Sequence, residues 1–156
     1  YIFSWDEFIF YDGVLKAMQY LATRFSHIFI VTNQRGVGKG LMTEKNLQLI
    51  HQNMQRAIEL AGGRIDGIYY CTELESSSRK PNPGMAMQAK KEFPSIETSK
   101  SIMVGNSMSD MVFGRNIGAT TVFVTTTNPF IDKADKNIDL VYNSLADFAN
   151  ALQSLR

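Results

Sequence analysis

Short apolar segments alternate with amphipathic segments along most of the chain, and this alternation limits the fold more than any other feature. Residues 14–24 carry apolar side chains at helical spacing, and residues 27–31 form a short apolar run that ends in polar residues. Strands that alternate with helices favour an α/β domain with a mostly parallel sheet flanked by helices. Further strands are predicted at residues 67–71, 101–104, 121–125 and 140–142, and further helices at residues 44–61, 83–93, 108–117 and 145–155.

Residues typical of helix ends support these boundaries. Thr43 and Ser144 suit N-cap positions, because a hydroxyl oxygen there can accept a hydrogen bond from a main-chain N–H of the first turn. Gly62 and Gly118 suit helix ends, and Pro83 suits a helix start. The chain is therefore predicted to be one domain, residues 1–156, without a large inserted cap domain.

Composition and charge narrow the class of protein. A chain of 156 residues can form a domain with a core, and its hydrophobic content of 44% is ordinary for a globular protein. The chain has 16 basic and 15 acidic residues, so its net charge is close to zero. There is therefore no electrostatic case for binding nucleic acid or an anionic membrane. The apolar runs are too short to span a bilayer. The single cysteine, Cys71, excludes an internal disulfide and a multi-cysteine zinc site, and it fits a reducing, cytoplasmic setting.

Polar residues follow the first predicted strand at Thr32 and Asn33. In parallel α/β sheets, ligands bind at the carboxyl ends of the strands. A hydroxyl and an amide at this place can donate hydrogen bonds to a phosphate oxygen. The same residue types also suit a turn in which the side chains satisfy main-chain groups. The sequence alone leaves both interpretations open.

The glycine-rich stretch that follows does not match a nucleotide-binding loop. Gly38 and Lys39 are followed by Gly40 rather than by Ser or Thr, as a P-loop requires. Leu41 stands where the last glycine of a dinucleotide-binding motif would stand. We expect these glycines to form a loop that bends and approaches a ligand or the backbone closely.

Lys80 lies in a proline-rich turn, Lys80-Pro81-Asn82-Pro83, that leads into a predicted helix. A lysine held by such a turn provides a fixed positive charge, which suits a phosphate or a developing anion. The alternative is a solvated surface lysine.

The segment SIMVGNSMSD runs from a buried strand into Gly105 and Asn106, with Asp110 four residues further on. A carboxylate and an amide oxygen are suitable ligands for Mg²⁺. The alternative is an ordinary helix start, with Asn106, Ser107 or Ser109 as N-cap and Asp110 in the first turn.

Together, the three strand ends VTNQRGVGKGLMTE, RKPNPGM and VGNSMSD resemble the haloacid dehalogenase superfamily of phosphatases. Within that superfamily they are similar to the branch of heptose bisphosphate and histidinol phosphate phosphatases. The resemblance covers residues 1 to about 150. It implies a Rossmann-like fold and Mg²⁺-dependent hydrolysis of a phosphomonoester through a phosphoaspartate. The implied substrate is a small phosphorylated metabolite, with heptose bisphosphate or another sugar phosphate first and histidinol phosphate second.

The resemblance also implies roles for individual residues. Thr32 matches the residue that binds the phosphate, and Asn33 matches its neighbour, which helps to orient the substrate. Lys80 matches the lysine that neutralises the nucleophile and the phosphate, and Arg79 matches a basic residue that reaches the substrate. Lys80 and Thr32 are therefore the expected catalytic residues within the chain.

Asn106 and Asp110 match the motif that holds or supports the metal. Asn106 stands where an aspartate is more usual, and an uncharged amide should hold Mg²⁺ less tightly. The zinc-binding loop of close relatives has no counterpart beside Cys71, so no structural zinc is expected.

The first motif of the superfamily, a strand followed by Asp-x-Asp-Gly, has no match in the chain. It would carry the nucleophile and the general acid/base. We expect it on roughly 10–25 residues before Tyr1, forming a central strand between those that end at Thr32 and Gly105. Asp12 is a less favoured nucleophile: residues 8–13 resemble a strand followed by aspartate and glycine, but Val14 stands where the second acid is needed.

Two other classes of protein compete with a phosphatase. A phosphatase-like binding or scaffold protein without catalysis is favoured by the missing first motif and by Asn106. A receiver domain of a response regulator is also α/β with Asp and Lys at strand ends, but the order of the residues fits it poorly. The sequence leaves the oligomeric state open.

Overall fold

The computed structural model describes residue 2 and residues 4–155, in which strands and helices alternate as predicted. Short 3₁₀ turns occur at Trp5–Glu7 and Thr98–Lys100. Within the described residues, no helix has both the length and the apolar character needed to cross a membrane. The strands are β1 (Phe29–Asn33), β2 (Gly67–Cys71), β3 (Ile102–Gly105), β4 (Thr120–Val124) and β5 (Leu140–Tyr142); the helices are α1 (Val14–Arg24), α2 (Arg35–Gly38), α3 (Glu44–Leu60), α4 (Gly84–Glu92), α5 (Met108–Asn116) and α6 (Leu145–Ser154).

The strands form two parallel sheets, one of β1 and β2 and one of β3, β4 and β5 in that order. Val31 lies opposite Tyr69 in the first sheet, and Val104 lies opposite Val122 in the second. Parallel neighbours need a crossover connection, which α3 provides between β1 and β2 and α5 provides between β3 and β4. The predicted α/β architecture is confirmed. The sheet is interrupted at the gap between β1 and β3, which belong to separate sheets.

Helices cover both faces of the two sheets. On one face, α1, α3 and α6 contribute Met18, Ile58 and Phe148 to a shared apolar cluster, against which Ile30 of β1 and Val104 of β3 pack. On the opposite face, α4 packs on the first sheet and α5 on the second. Burial of each large apolar side chain contributes roughly 1.5–3 kcal/mol. Because one cluster touches β1 and β3, helix packing holds the two sheets together.

The predicted helix caps are present. The Thr43 hydroxyl accepts a hydrogen bond from the Asn46 N–H at 3.1 Å, and the Ser144 hydroxyl accepts one from the Asp147 N–H at 3.0 Å. Gly118, after α5, has a φ of 76°, which favours glycine. These local interactions explain why the helix boundaries could be predicted from the sequence.

Within the glycine-rich stretch, residues 35–38 form the short helix α2, where the sequence predicted a bending loop. Val37 packs against a buried cluster that contains Met42 and Leu47, and this tertiary contact stabilises the turn. The predicted close approach is confirmed at Gly38, where an added Cβ would collide with the carbonyl oxygen of Thr72.

Residues 8–11 do not form a strand, so the less favoured interpretation of residues 8–13 as a strand followed by Asp12 and Gly13 is wrong. The Phe8 ring stacks on Trp5, with 5.1 Å between the ring centroids, and contacts the edge of Phe10. Asp12 lies in the turn before α1. The apolar residues that made this segment resemble a strand therefore pack as aromatic rings against one another and do not pair in a sheet.

A carboxylate joins α5, β4 and the start of β5. Asp139 accepts hydrogen bonds from the Arg115 guanidinium at 2.9 and 3.0 Å and from the Thr121 N–H at 2.8 Å. These contacts, those from Arg115 foremost, lower the pKa of Asp139 from 3.8 to about 2. The depressed pKa means that the ionised carboxylate is favoured by folding.

We expect this carboxylate to make stability depend on pH in acid. A carboxylate whose folded pKa is depressed stabilises the fold above its unfolded pKa of 3.8, and this contribution is lost as the pH falls towards about 2. Urea unfolding should show Asp139→Asn less stable than the wild type at neutral pH, with the difference shrinking as the pH falls below about 4. A difference that stays constant down to pH 2 would contradict this account.

Candidate active site

A cleft separates β1 from β3 and runs along both strands. In the described part of the chain, β1 pairs only with β2, and β3 pairs only with β4 and not with β1. The cavity between them has a volume of about 1030 Å³ and is lined by residues 28–32 of one edge and 102–106 of the other. Apolar residues of α1, α4, α5 and α6 also line it. Two strand edges thus border one elongated, largely apolar cavity.

Polar groups converge at the carboxyl ends of β1 and β3. Thr32, Lys80, Asn106 and Asp110 all line the cavity there. This is the edge of a parallel sheet at which ligands bind. Of the six residues predicted from the sequence, these four are brought together, whereas Asn33 and Arg79 are not among the residues that line the cavity.

Lys80 is held from two sides. Its ammonium group donates a hydrogen bond to Asp110 Oδ1 at 2.6 Å and another to the carbonyl oxygen of Val31 at 3.0 Å. The side chains of Lys80 and Asp110 are only 11% and 7% exposed. The alternative of a solvated surface lysine is therefore wrong, and the positive charge has a defined position at the end of the cleft.

Asp110 both caps a helix and pairs with Lys80. Its Oδ2 accepts hydrogen bonds from the N–H groups of Asn106 and Ser107 at 3.1 and 3.2 Å. In return, the Ser107 hydroxyl accepts one from the Asp110 N–H at 3.3 Å, which completes a capping box. The helix-start interpretation is confirmed with Ser107 as N-cap. An added Cβ at Gly105 would collide with the Asp110 carboxyl group, which explains the glycine.

Two further residues, which sequence reasoning did not assign to the site, contact Thr32 and Asn106. Gln34 Nε2 donates a hydrogen bond to Thr32 Oγ1 at 3.0 Å. Asn106 Nδ2 donates one to Thr127 Oγ1 at 2.9 Å, so the amide oxygen is the Asn106 atom that remains for a cation. The sequence offered a signal for Gln34, which directly follows the strand end. It offered none for Thr127, which lies 21 residues away in the chain.

Asn33 and Arg79 lie beside Lys80 with their side chains engaged differently from the prediction. The Asn33 amide forms two hydrogen bonds with the main chain of Lys80, at 3.0 and 3.3 Å. Arg79 Nη1 is buried, and within the described residues it has no hydrogen-bond partner. A buried guanidinium N–H in this state retains the capacity to donate to an additional acceptor.

The oxygen atoms near Asn106 fit part of a Mg²⁺ site. Amide and carboxylate oxygens are the ligand types that this ion prefers, and Mg²⁺ usually retains several waters. Within residues 2 and 4–155, no group of three or more His, Cys, Asp or Glu side chains could hold a metal. Both Asp110 oxygens already accept hydrogen bonds, so Asn106 is better placed to ligate directly and Asp110 to support the site.

Comparison with known sequences places the chain among phosphatases. The sequence model of the polynucleotide kinase 3 phosphatase family matches residues 3–149. The chain is 33% identical to a D-glycero-β-D-manno-heptose-1,7-bisphosphate 7-phosphatase of Photorhabdus laumondii, over 100% of this chain and 88% of that protein. It is 34% identical to the protein of the same name from Escherichia coli K12, over 98% and 85% of the two chains. The chain belongs to the haloacid dehalogenase superfamily of phosphatases, in the branch of the heptose bisphosphate phosphatases.

Solved structures agree with this assignment. The D,D-heptose 1,7-bisphosphate phosphatase of B. bronchiseptica, complexed with magnesium and phosphate, superposes with a TM-score of 0.87 at 26% identity, covering 100% of this chain and 90% of that one. The corresponding protein of Burkholderia thailandensis has a TM-score of 0.71 at 27% identity, over 96% and 90% of the chains. The predicted superfamily and branch are therefore confirmed.

We expect Lys80→Met to destabilise the protein by about 3–5 kcal/mol, because it leaves Asp110 as a buried charge without its partner. Replacing Asp110 by Asn in the Lys80→Met background should recover part of this loss, since no buried charge then remains. Urea unfolding of the single and double variants measures this coupling. Lys91→Met, at an exposed position of α4, is the matched control and should change stability by no more than about 0.5 kcal/mol. Equal effects at the two lysines would contradict the role of the ion pair.

Proposed function

We propose that this protein hydrolyses a phosphomonoester of a small sugar phosphate in the presence of Mg²⁺. Heptose bisphosphate is the first substrate class and histidinol phosphate the second. The observation that carries the proposal is the buried ammonium group of Lys80, held by Asp110 and Val31 beside Thr32 at the carboxyl end of the strands. The names of the relatives, and the magnesium and phosphate bound to the B. bronchiseptica protein, support the substrate and the metal.

The residues of this chain position and stabilise the phosphoryl group. The Thr32 hydroxyl donates a hydrogen bond to a phosphoryl oxygen, while Gln34 orients that hydroxyl. Lys80 neutralises negative charge that develops during transfer. Arg79 lies outside the cavity lining, and it reaches the substrate through Nη1, which has no hydrogen-bond partner within the described residues. Asn106 supplies an oxygen ligand to Mg²⁺, which, when bound, neutralises charge on the phosphoryl oxygens. Phosphoryl transfer depends mainly on such positioning and charge stabilisation.

The reaction proceeds in two steps through an aspartate. A carboxylate oxygen attacks phosphorus, the bond from phosphorus to the ester oxygen breaks, and a general acid protonates the leaving alcohol. Water then attacks the phosphorus of the phosphoaspartate, which releases inorganic phosphate and regenerates the carboxylate. The ammonium group of Lys80 is close to the end of the cleft throughout, where it balances the charge of carboxylate and phosphate.

We propose that the attacking aspartate is contributed by a further parallel strand that occupies the cleft. The cleft supports this because β1 and β3 leave adjacent edges unpaired within the described residues, and unpaired main-chain groups are costly. Its apolar lining suits a strand buried on both faces. A carboxylate at the end of such a strand would face Lys80.

A small substrate is favoured over a polynucleotide by charge. The family name refers to polynucleotides. A net charge of +1, however, lacks the basic excess that binds a nucleic acid backbone. The single cysteine supports a cytoplasmic location for this metabolic role.

Release of phosphate from D-glycero-β-D-manno-heptose 1,7-bisphosphate by the full-length protein with Mg²⁺ tests the proposal. We expect turnover that Lys80→Ala lowers by about 10²–10³-fold, because the variant removes a cation aimed at the developing charge. Lys91→Ala, at an exposed position in α4, is the control and should retain wild-type turnover. Histidinol phosphate and a 3′-phosphorylated oligonucleotide are the comparison substrates.

The outcomes separate the competing functions. Faster turnover of the oligonucleotide than of either metabolite would overturn the substrate assignment. A protein that binds Mg²⁺ and phosphate but hydrolyses none of the three esters is a binding or scaffold protein.

The proposal that a further strand fills the cleft can be tested separately by adding a peptide to the protein of residues 1–156. A synthetic peptide of about ten residues, apolar in its first half and ending in Asp-x-Asp, should raise the melting temperature as it fills the cleft. It should also confer phosphatase activity. A matched peptide with Asn in place of the first Asp should raise the melting temperature equally but confer no activity. If a peptide of the same composition in scrambled order stabilises the protein as well, the cleft is not a strand-binding site.

A further inference from the structure

The loop that carries Lys80 is long and irregular, and it spans residues 72–83 between β2 and α4. Within this loop, the Ser76 hydroxyl accepts a hydrogen bond from the Ser78 N–H at 3.1 Å, and its carbonyl oxygen accepts one from Asn82 Nδ2 at 2.8 Å. These internal contacts shape the loop but do not place it relative to β1. A catalytic lysine on such a loop needs an anchor outside it.

We infer that Asn33 is a positioning residue that holds the main chain of Lys80 against β1. The Lys80 N–H donates a hydrogen bond to Asn33 Oδ1 at 3.0 Å, and Asn33 Nδ2 donates one to the Lys80 carbonyl oxygen at 3.3 Å. The Lys80 ammonium group is anchored to the same strand, through the carbonyl oxygen of Val31. β1 therefore contacts the lysine at both its main chain and its ammonium group. Asp110 also binds the ammonium group, and Asn116 donates a hydrogen bond to the neighbouring Pro81 carbonyl oxygen at 2.9 Å.

The pleat of β1 separates this role from that of Thr32. Successive side chains of a strand point to opposite faces, so Thr32 and Asn33 face different directions. Thr32 lines the cavity and Asn33 does not. Asn33 shares its face with Val31, which packs against the clusters beneath α4 and α5. Because its side-chain amide binds the main chain of Lys80 through both its oxygen and its nitrogen, Asn33 acts on the substrate through Lys80.

An amide side chain suits position 33 because both its acceptor oxygen and its donor nitrogen form hydrogen bonds there. One atom accepts from a main-chain N–H and the other donates to a main-chain carbonyl, as a neighbouring strand would do. An aspartate of the same size keeps the acceptor but loses the donor and places negative charge beside a carbonyl oxygen. A leucine of similar shape loses both hydrogen bonds.

Amide hydrogen exchange followed by NMR tests the anchor without substrate. In Asn33→Leu, exchange of the Lys80 amide should accelerate about fivefold or more, the equivalent of one lost hydrogen bond. The Asn82 amide, which donates to the Arg79 carbonyl oxygen within the loop, serves as internal reference. Asn33→Asp should accelerate the Lys80 amide less, because the acceptor remains. Asn150→Leu, on the exposed face of α6, is the matched control and should leave it unchanged. Unchanged exchange at Lys80 in Asn33→Leu would overturn the inference.

An NMR titration of the wild-type protein with Mg²⁺ and inorganic phosphate gives a second test. It does not depend on whether any variant folds. The side-chain NH₂ signals of Asn33 should keep their chemical shifts when Mg²⁺ and inorganic phosphate are added at concentrations that shift the Arg79 and Thr32 signals. Movement of the Asn33 signals by the same amount as those of Arg79 would identify Asn33 as a ligand contact and overturn the positioning role.

Kinetics of the full-length enzyme extend the test, and this part rests on the proposed function. Asn33→Leu should lower kcat by roughly ten- to a hundredfold with little change in KM, because it misplaces a group that acts in the transition state. In a Lys80→Ala background, Asn33→Leu should cause no further loss of kcat. An additive further loss would show that Asn33 acts independently of Lys80. If the enzyme hydrolyses no ester at all, the proposed function fails while hydrogen exchange still decides the role of Asn33.

Discussion

The ion pair between Lys80 and Asp110 joins the two halves of this structure. Lys80 lies in the loop after β2 of the two-stranded sheet, and Asp110 lies in α5, directly after β3 of the three-stranded sheet. Their contact crosses the end of the cleft, where β1 and β3 do not pair within the described residues. Because both side chains are nearly buried, the loss of either would leave a charge without compensation. The groups that hold the fold together at this end also line the end of the cleft that we propose as the phosphate site.

The site is positioned mainly by main-chain groups and helix caps. Val31 contributes a carbonyl oxygen to Lys80, the Ser107 capping box orients Asp110, and Asn33 holds the main chain of the lysine. Such groups belong to regular elements, so their positions are as rigid as the sheet and helices themselves. A site held in this way needs little reorganisation when negative charge develops, which is the condition for electrostatic catalysis.

Much of the fold could be predicted because its signals are local. The predicted strand at residues 67–71 coincides with β2, and the caps at Thr43 and Ser144 are present. Predictions failed where side-chain packing overrides a local pattern. Residues 35–38 form a helical turn because Val37 is packed in a cluster, and Phe8 stacks on Trp5 where its apolar segment resembled a strand. Neither partner could be read from spacing alone.

The order and spacing of the three strand ends were sufficient to identify the superfamily and the α/β architecture, and the four predicted residues Thr32, Lys80, Asn106 and Asp110 line one cavity. Motif order is a property of the chain, and the carboxyl ends of parallel strands must meet at one edge. The different surroundings of the Thr32 and Asn33 side chains became clear only in three dimensions. These neighbours in sequence point to opposite faces of β1, and the partner of Asn33 lies 47 residues further along the chain. Side-chain direction and distant hydrogen-bond partners depend on packing, which a linear pattern does not contain.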